Sequence, residues 1–276
     1  MDNSQKLLIS NLHQLPALPE VVRKLMSSFQ DKNVNITTLA NTIALDQGIS
    51  AKVLRVANSS FYGLNREIGS IQSAVSVLGF VTLRSLVISA GTIQSFQQNA
   101  VDHFDRQQFW SRSFRVASYT EALEKSLGMG SDLSFTAGFF HDIGELVLSI
   151  CIPGKFSEVL QQQQSSGLSL IEVEHAVLGF NHAEIGAEMA KRWNFPYAVE
   201  RAIRFWRSPD QEPFEPIAGL VHVAVLLERG IMGEELMSHL SKAFCDRLQI
   251  NWERIERCLP SQDQLNALVN QMMVKA

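Results

Sequence analysis

The spacing of apolar residues constrains this chain more than any other feature. They recur mostly at three and four positions with little sustained alternation, which is the periodicity of helices with one buried face. An all-α protein follows. The longest apolar runs, such as the one from Leu146 to Ile152, fall far short of the ~20 residues that cross a bilayer. Of the 276 residues, 46% are hydrophobic and 19% charged, enough for a sizeable core and against long disorder. With 24 basic against 28 acidic side chains, there is no electrostatic footprint for a nucleic acid. Cys151, Cys245 and Cys258 form no CxxC pair and are odd in number, so reduced thiols are expected. Met1 to Gln5 carry no signal-peptide pattern, which predicts a cytoplasmic protein without a membrane partner.

Proline, glycine and capping signals divide the helices. Pro16 and Pro19 open a predicted helix to about Gln30, followed by Ile36 to Leu45 and Ile49 to Asn58, with a break at Asp46-Gln47-Gly48. After the turn from Asn65 to Gly69 come Ser70 to Leu78 and Val81 to about Gln97. The polar stretch from Gln97 to Asp102 sets a boundary between a first bundle, residues 1–98, and a second, residues 99–276. A helix from near Asp105 ends at Gly128-Met129-Gly130, and Ser131 is expected to cap the next helix, with Asp132 in its first turn. That helix is expected to carry both His141 and Asp142. Gln161 to Gln164 and Ser165-Ser166-Gly167 read as a solvated helix end. Asn181-His182-Ala183-Glu184 has the form of a capping box and opens a helix to near Trp193. Another helix follows Pro196 to about Trp206, residues 208–213 form an exposed loop, and helices from Ile217, Glu234, Trp252 and Gln262 complete the chain.

The common nucleotide, protease and hydrolase motifs are missing: there is no Walker A loop, GxGxxG, HExxH, GxSxG or EF-hand loop. His141-Asp142-Ile143-Gly144 remains. A His-Asp step holds a divalent cation only if further ligands arrive from other helices, because each supplies one or two of at least four positions. The surrounding pattern resembles the HD superfamily, whose helical members place a His, a His-Asp pair and a distant Asp around one or two metals. More closely, the chain resembles the HDOD domain, the non-catalytic relative of that superfamily found in bacterial signalling proteins. The matching residues are Leu15-Pro16-Ala17-Leu18-Pro19, Ala44 to Gly63, Ile71 to Gly79, Trp110, His141 to Gly144, Gly179 to Ala187 and Trp193-Asn194-Phe195-Pro196. This resemblance covers roughly Leu15 to Leu227 and implies two packed helical bundles, the second HD-superfamily-like.

The resemblance also allows a count of ligands. Catalytic relatives carry a His-Ser pair where this chain reads Arg112-Ser113, and arginine stays protonated and cannot ligate. His141 and Asp142 are retained, and His182 stands where some two-metal relatives carry another ligand. The His-His pair of those relatives falls near Phe205-Trp206, and the final Asp is replaced by Val225; no Asp lies between Ile217 and Gly230. A pocket of Arg112, His141, Asp142 and His182 is therefore expected, with no catalytic residue. His141 and Asp142 are residual metal positions, no cofactor is expected, and any divalent metal is held at low occupancy. The Arg112 guanidinium is expected to pair with Asp142 in place of the ion. His182, in the first turn of its helix, is expected to be neutral. Arg201, Arg204 and Arg207 recur at three-residue spacing and read as a solvated face. His13, His103, His175, His222 and His239 share no spacing and are read as structural or surface. The expected function is a non-enzymatic regulatory or scaffold module of bacterial signal transduction. The resemblance implies response regulators or cyclic-dinucleotide enzymes as partners, and a homodimer is open. The alternative is a metal-dependent phosphohydrolase of the HD class.

Overall fold

The computed structural model describes residues 3–29, 35–64, 66–98 and 104–274. Gln30, Asn65, the boundary residues Asn99 to Asp102, and His103 lie outside the described residues. Every regular element among the described residues is helical. The first half comprises α1 (Asn3–Asn11), α2 (Glu20–Ser27), α3 (Ile36–Ala44), α4 (Gln47–Ala57), α5 (Ile71–Leu78) and α6 (Phe80–Ser95). Next come α7 (Arg106–Leu127), α8 (Ser134–Phe140), α9 (Ile143–Cys151), α10 (Pro153–Ser166), α11 (Leu170–Leu178), α12 (His182–Arg192), α13 (Tyr197–Phe205) and α14 (Pro216–Glu228). The chain closes with α15 (Gly233–Ser238), α16 (Lys242–Leu248), α17 (Trp252–Cys258) and α18 (Gln262–Met273). Among the described residues, no helix is long and apolar enough to cross a membrane.

Side-chain caps explain half of the α-helix starts, because the first four N–H groups of a helix have no partner inside it. The break expected at Asp46-Gln47-Gly48 is present but shorter: α3 ends at Ala44, and Asp46, accepting from Ile49 N at 3.0 Å, caps α4, which takes in Gln47 and Gly48. Asp105 caps α7, and Ser169, Asn181 and Ser261 each complete a reciprocal capping box. Ser131 departs from expectation. Its Oγ accepts from Leu133 N, and α8 starts three residues later than the predicted cap, while Asp132 turns away to pair with the buried Arg84 of α6. A buried guanidinium needs a counter-charge more than a helix end needs a favourable dipole.

The elements α1, α11 and α16 were not foreseen from apolar spacing. The largest apolar core runs from Leu18 to Met272 and takes residues from both halves of the chain. The helices after Arg229 close this core: α18 packs on α7 and α4, burying Leu265, Leu268 and Met272. At its centre Trp110 of α7 stacks on Phe139 of α8, with ring centroids 5.3 Å apart. A satellite core joins Leu8 of α1 to Val147, Leu148 and Cys151 of α9 and to Phe156 of α10.

Candidate functional site

Glycines set how closely the site helices approach. A Cβ on Gly138 of α8 would lie 2.8 Å from Ala117 Cα of α7, and one on Gly144 of α9 would lie 1.8 Å from the His182 carbonyl oxygen. Backbones meet this closely only where no side chain intervenes. The chain must lay α8 on α7 and α9 on α12, and it changes direction between them. His141 therefore ends α8 and Asp142 precedes α9, with φ −112° and ψ 19°. This corrects the expectation that one helix carries both. On the facing side, the Asn181–Glu184 capping box fixes His182 as the first residue of α12.

Asp142, 2% exposed, is the hub. Its Oδ2 accepts from Arg112 Nη2 at 3.0 Å and lies 3.2 Å from His141 Nε2. Its Oδ1 lies 3.4 Å from His182 Nε2 and 3.7 Å from Arg207 Nη2. Arg112 Nη2 also donates to Glu145 Oε2 at 3.2 Å, so one guanidinium bridges two buried carboxylates. His141 Nδ1 donates to the Gly138 carbonyl at 2.7 Å, which turns Nε2 towards Asp142. Behind His182, Glu174 Oε2 accepts from the His182 backbone N at 3.0 Å and from its Nδ1 at 2.7 Å. The Arg112–Asp142 contact is the one expected from the sequence.

Burial disfavours the charged form of Asp142, yet His141, Arg112 and the close His182 ring hold its carboxyl well below the usual range. Burial and the Asp142 charge push Glu145 up, against Arg112, His182 and Arg207. Burial alone would lower His182, but its hydrogen bond to Glu174 and the nearby charges of Asp142 and Glu174 raise it to about 9. That direction favours the imidazolium over the neutral ring expected. Two carboxylates at contact distance outweigh a helix dipole worth roughly 0.3–1 kcal/mol.

Glu145 and Glu174 had no assigned place in the sequence reading, and Arg207, read there as part of a solvated face, is corrected by the structure. Arg207 shares the spacing of Arg201 and Arg204, but α13 ends at Phe205, so Arg207 leaves that face and turns inward, its guanidinium 4.2 Å from the Trp206 ring centroid. Arg201 and Arg204 stay outside, paired with Glu215 and Glu188. Glu145 follows Asp142 by three residues, the spacing of neighbours on a helix, and that signal was available. Glu174 is brought in by α11, and no local signal marks it. Val225 is buried apolar, as its sequence position implies, and Glu228, one turn on, faces Arg112 electrostatically.

As a metal centre, Asp142, Glu145 and His182 offer donor atoms within 4.8 Å of one another, one carboxylate more than the sequence count. The cations already present argue against it. Three acids, Asp142, Glu145 and Glu174, face Arg112, Arg207 and His182, and His141 Nε2 also lies beside Asp142. A divalent ion would have to displace Arg112 from lone pairs it needs. As arranged, Arg112 holds lone pairs of Asp142 and Glu145, while Asp142 Oδ1 and His182 Nε2 are buried without hydrogen-bond partners.

Comparison with known proteins agrees with this architecture. Residues 15–209 match the model of the HDOD domain. An uncharacterised Treponema pallidum (strain Nichols) protein is 24% identical over 251 residues, covering 90% of this chain. The chain spans about half, 48%, of the length of that relative. A crystal structure from Shewanella amazonensis SB2B, of a protein named as a phosphohydrolase, is 28% identical, with a TM-score of 0.80 over 96% of this chain and 98% of that one. An HDOD domain protein of unknown function from Geobacter sulfurreducens is 23% identical, with a TM-score of 0.73 over 96% and 92% of the two chains. With the family match spanning both halves of the fold and the whole of the His-Asp pocket, the chain belongs to the HDOD domain family.

Proposed function

We propose that the protein is a non-enzymatic regulatory or scaffold module of bacterial signal transduction, acting in the cytoplasm through its helical surface on partner proteins such as response regulators or cyclic-dinucleotide enzymes. The observation that carries this reading is the Arg112 guanidinium, hydrogen-bonded to both Asp142 and Glu145 where hydrolytic relatives need open lone pairs for an ion. In such a module the pocket serves as an internal strut that sets the angle between α7, α9 and α12. Protein purified without chelator and analysed by inductively coupled plasma mass spectrometry should carry well under one equivalent of transition metal. It should not hydrolyse bis(p-nitrophenyl) phosphate with manganese present.

The alternative, a metal-dependent phosphohydrolase, is favoured by one observation, the donor triad of Asp142, Glu145 and His182, and by the name of the Shewanella relative. Stoichiometric metal together with turnover that disappears in Asp142→Ala would establish that alternative and remove the regulatory reading.

A further inference from the structure

A cavity of about 600 Å³ opens between the first turns of α7, α10 and the end of α14, and it reaches inward to Arg112 and Glu145. That is within the size range of small-ligand pockets, roughly 300–1,000 Å³. Phe104, Phe109 and Leu160 give it an apolar wall. Glu145 is 8% exposed, and its Oε2 accepts from Arg112 Nη2. Its Oε1 takes no hydrogen bond from a described residue, and it is not sealed from solvent as Asp142 Oδ1 and Glu174 Oε1 are. An unpartnered acceptor on a buried side chain therefore opens into the cavity. Arg112 presents a donor beside it: Nη2 is engaged and Nε is enclosed, while among the described residues Nη1 has no partner and the side chain is 33% exposed. Polar groups at the base of a recess normally find partners, so this pair calls for a ligand with a donor and an acceptor side by side.

The rest of the lining specifies the charges of that ligand. Arg115 and Arg229 add two guanidiniums to Arg112, and Asp105 and Glu228 add two carboxylates to Glu145. Arg115 is held by the neutral amides of Gln262 and Asn266, and the charge of Glu228 reaches Arg112. A simple anion in this cavity would lie close to acids, and a simple amine close to guanidiniums, each repelled at short range. A ligand that carries both charges one carbon apart avoids the conflict. Its ammonium donates to the carboxyl of Glu145, and its carboxylate accepts from the guanidinium of Arg112, both as charge-assisted hydrogen bonds.

We propose that this cavity binds a free α-amino acid with a large apolar side chain, the ammonium on Glu145 Oε1, the carboxylate on Arg112 Nη1, and the side chain against Phe104, Phe109 and Leu160. The proposal rests on the regulatory reading above, in which Arg112 and not an ion holds Asp142 and Glu145, and it names the chemical class of small ligand to which such a module responds.

Calorimetric titration of the full chain in EDTA tests it, with metal content measured on the same preparation before the chelator is added. The probes are L-phenylalanine and L-leucine, each beside the amine that lacks its carboxylate and the acid that lacks its ammonium. At least one amino acid should bind saturably, about tenfold or more tighter than both of its single-charge analogues. Glu145→Gln should weaken that binding about tenfold or more. Gln108→Trp should do the same by filling the cavity from the exposed first turn of α7, and it keeps the test usable if Glu145→Gln fails to fold. The proposal fails if neither amino acid outbinds its analogues, or if both variants bind as the wild type does. One equivalent of metal in the untreated preparation would remove the regulatory reading and this proposal together, whereas metal-free protein that binds neither amino acid removes this proposal alone.

Discussion

Two side chains test the electrostatic reading at the level of single residues. Removing Arg112 leaves Asp142 and Glu145 buried beside Arg207, 3.7 Å from Asp142, and the two histidines. Breaking a fully buried pair costs about 3–5 kcal/mol. Arg112 is 33% exposed, so Arg112→Ala should cost less, about 2–3 kcal/mol by chemical denaturation. The sign with pH follows from Asp142. Its carboxyl is held below the ordinary 3.8, so its contribution is present above that value and is lost as the pH falls through the lower folded-state value. The gap between wild type and Arg112→Ala should therefore narrow in acid below pH 3.8; a constant gap would disprove the pairing. Lys52 of α4 predicts the opposite kind of effect. It is 2% exposed, its Nζ has no partner, and burial and the nearby Arg55 lower its pKa. The helices packed on α4 offer one carboxylate, the exposed Asp263 at the start of α18. Lys52→Met keeps the stem and removes the unpaired charge, and should stabilise the protein by about 1–3 kcal/mol. A lower melting temperature in this variant would show that the ammonium has a partner in solution.

Among the elements, the contact of α9 with α12 decides whether a pocket exists at all. Gly144 lies against the carbonyl of His182, and Gly186 N is also within 2.9 Å of the Cβ it lacks. One methyl group there must push the two helices apart and carry His182 away from Asp142. Gly144→Ala should cost about 3 kcal/mol or more, through backbone displacement that overpacked cores resist. Gly154→Ala is the matched control: it sits in the first turn of α10, nothing lies within 4 Å of the new Cβ, and alanine favours the helix by roughly 0.5–1 kcal/mol. Equal melting of the two variants would show that the glycine contact is not needed.

The whole molecule depends on its last helices returning to its first. Leu265, Leu268 and Met272 of α18 are fully buried in the core that also holds Val53 and Val56 of α4. A chain ended after Gly230 should keep helical far-ultraviolet dichroism but bind a hydrophobic dye and lose cooperative unfolding, since secondary structure survives loss of specific packing. A cooperative transition in that truncated chain would instead identify α15 to α18 as an appendage. The continuity of this core also bears on the proposed division near residue 98: the two bundles would be regions of one packed body more than separable domains.

Apolar periodicity alone determined that this chain is helical, because a 3.6-residue repeat cannot bury one face of a strand. Cap residues such as Asp105, Asn181 and Ser261 fixed helix starts, since satisfying orphan N–H groups is a local matter. The sequence also marked Arg112, His141, Asp142 and His182 as one pocket, through the resemblance of the motifs around them. Only the tertiary structure decided what that pocket is electrically. Glu174 arrives from another helix, Arg207 turns inward because α13 ends two residues before it, and the joint between α8 and α9 aims Asp142 at all of them. Charge balance in a buried cluster depends on distances of 3 to 4 Å between residues far apart in the chain, and no local pattern encodes those distances.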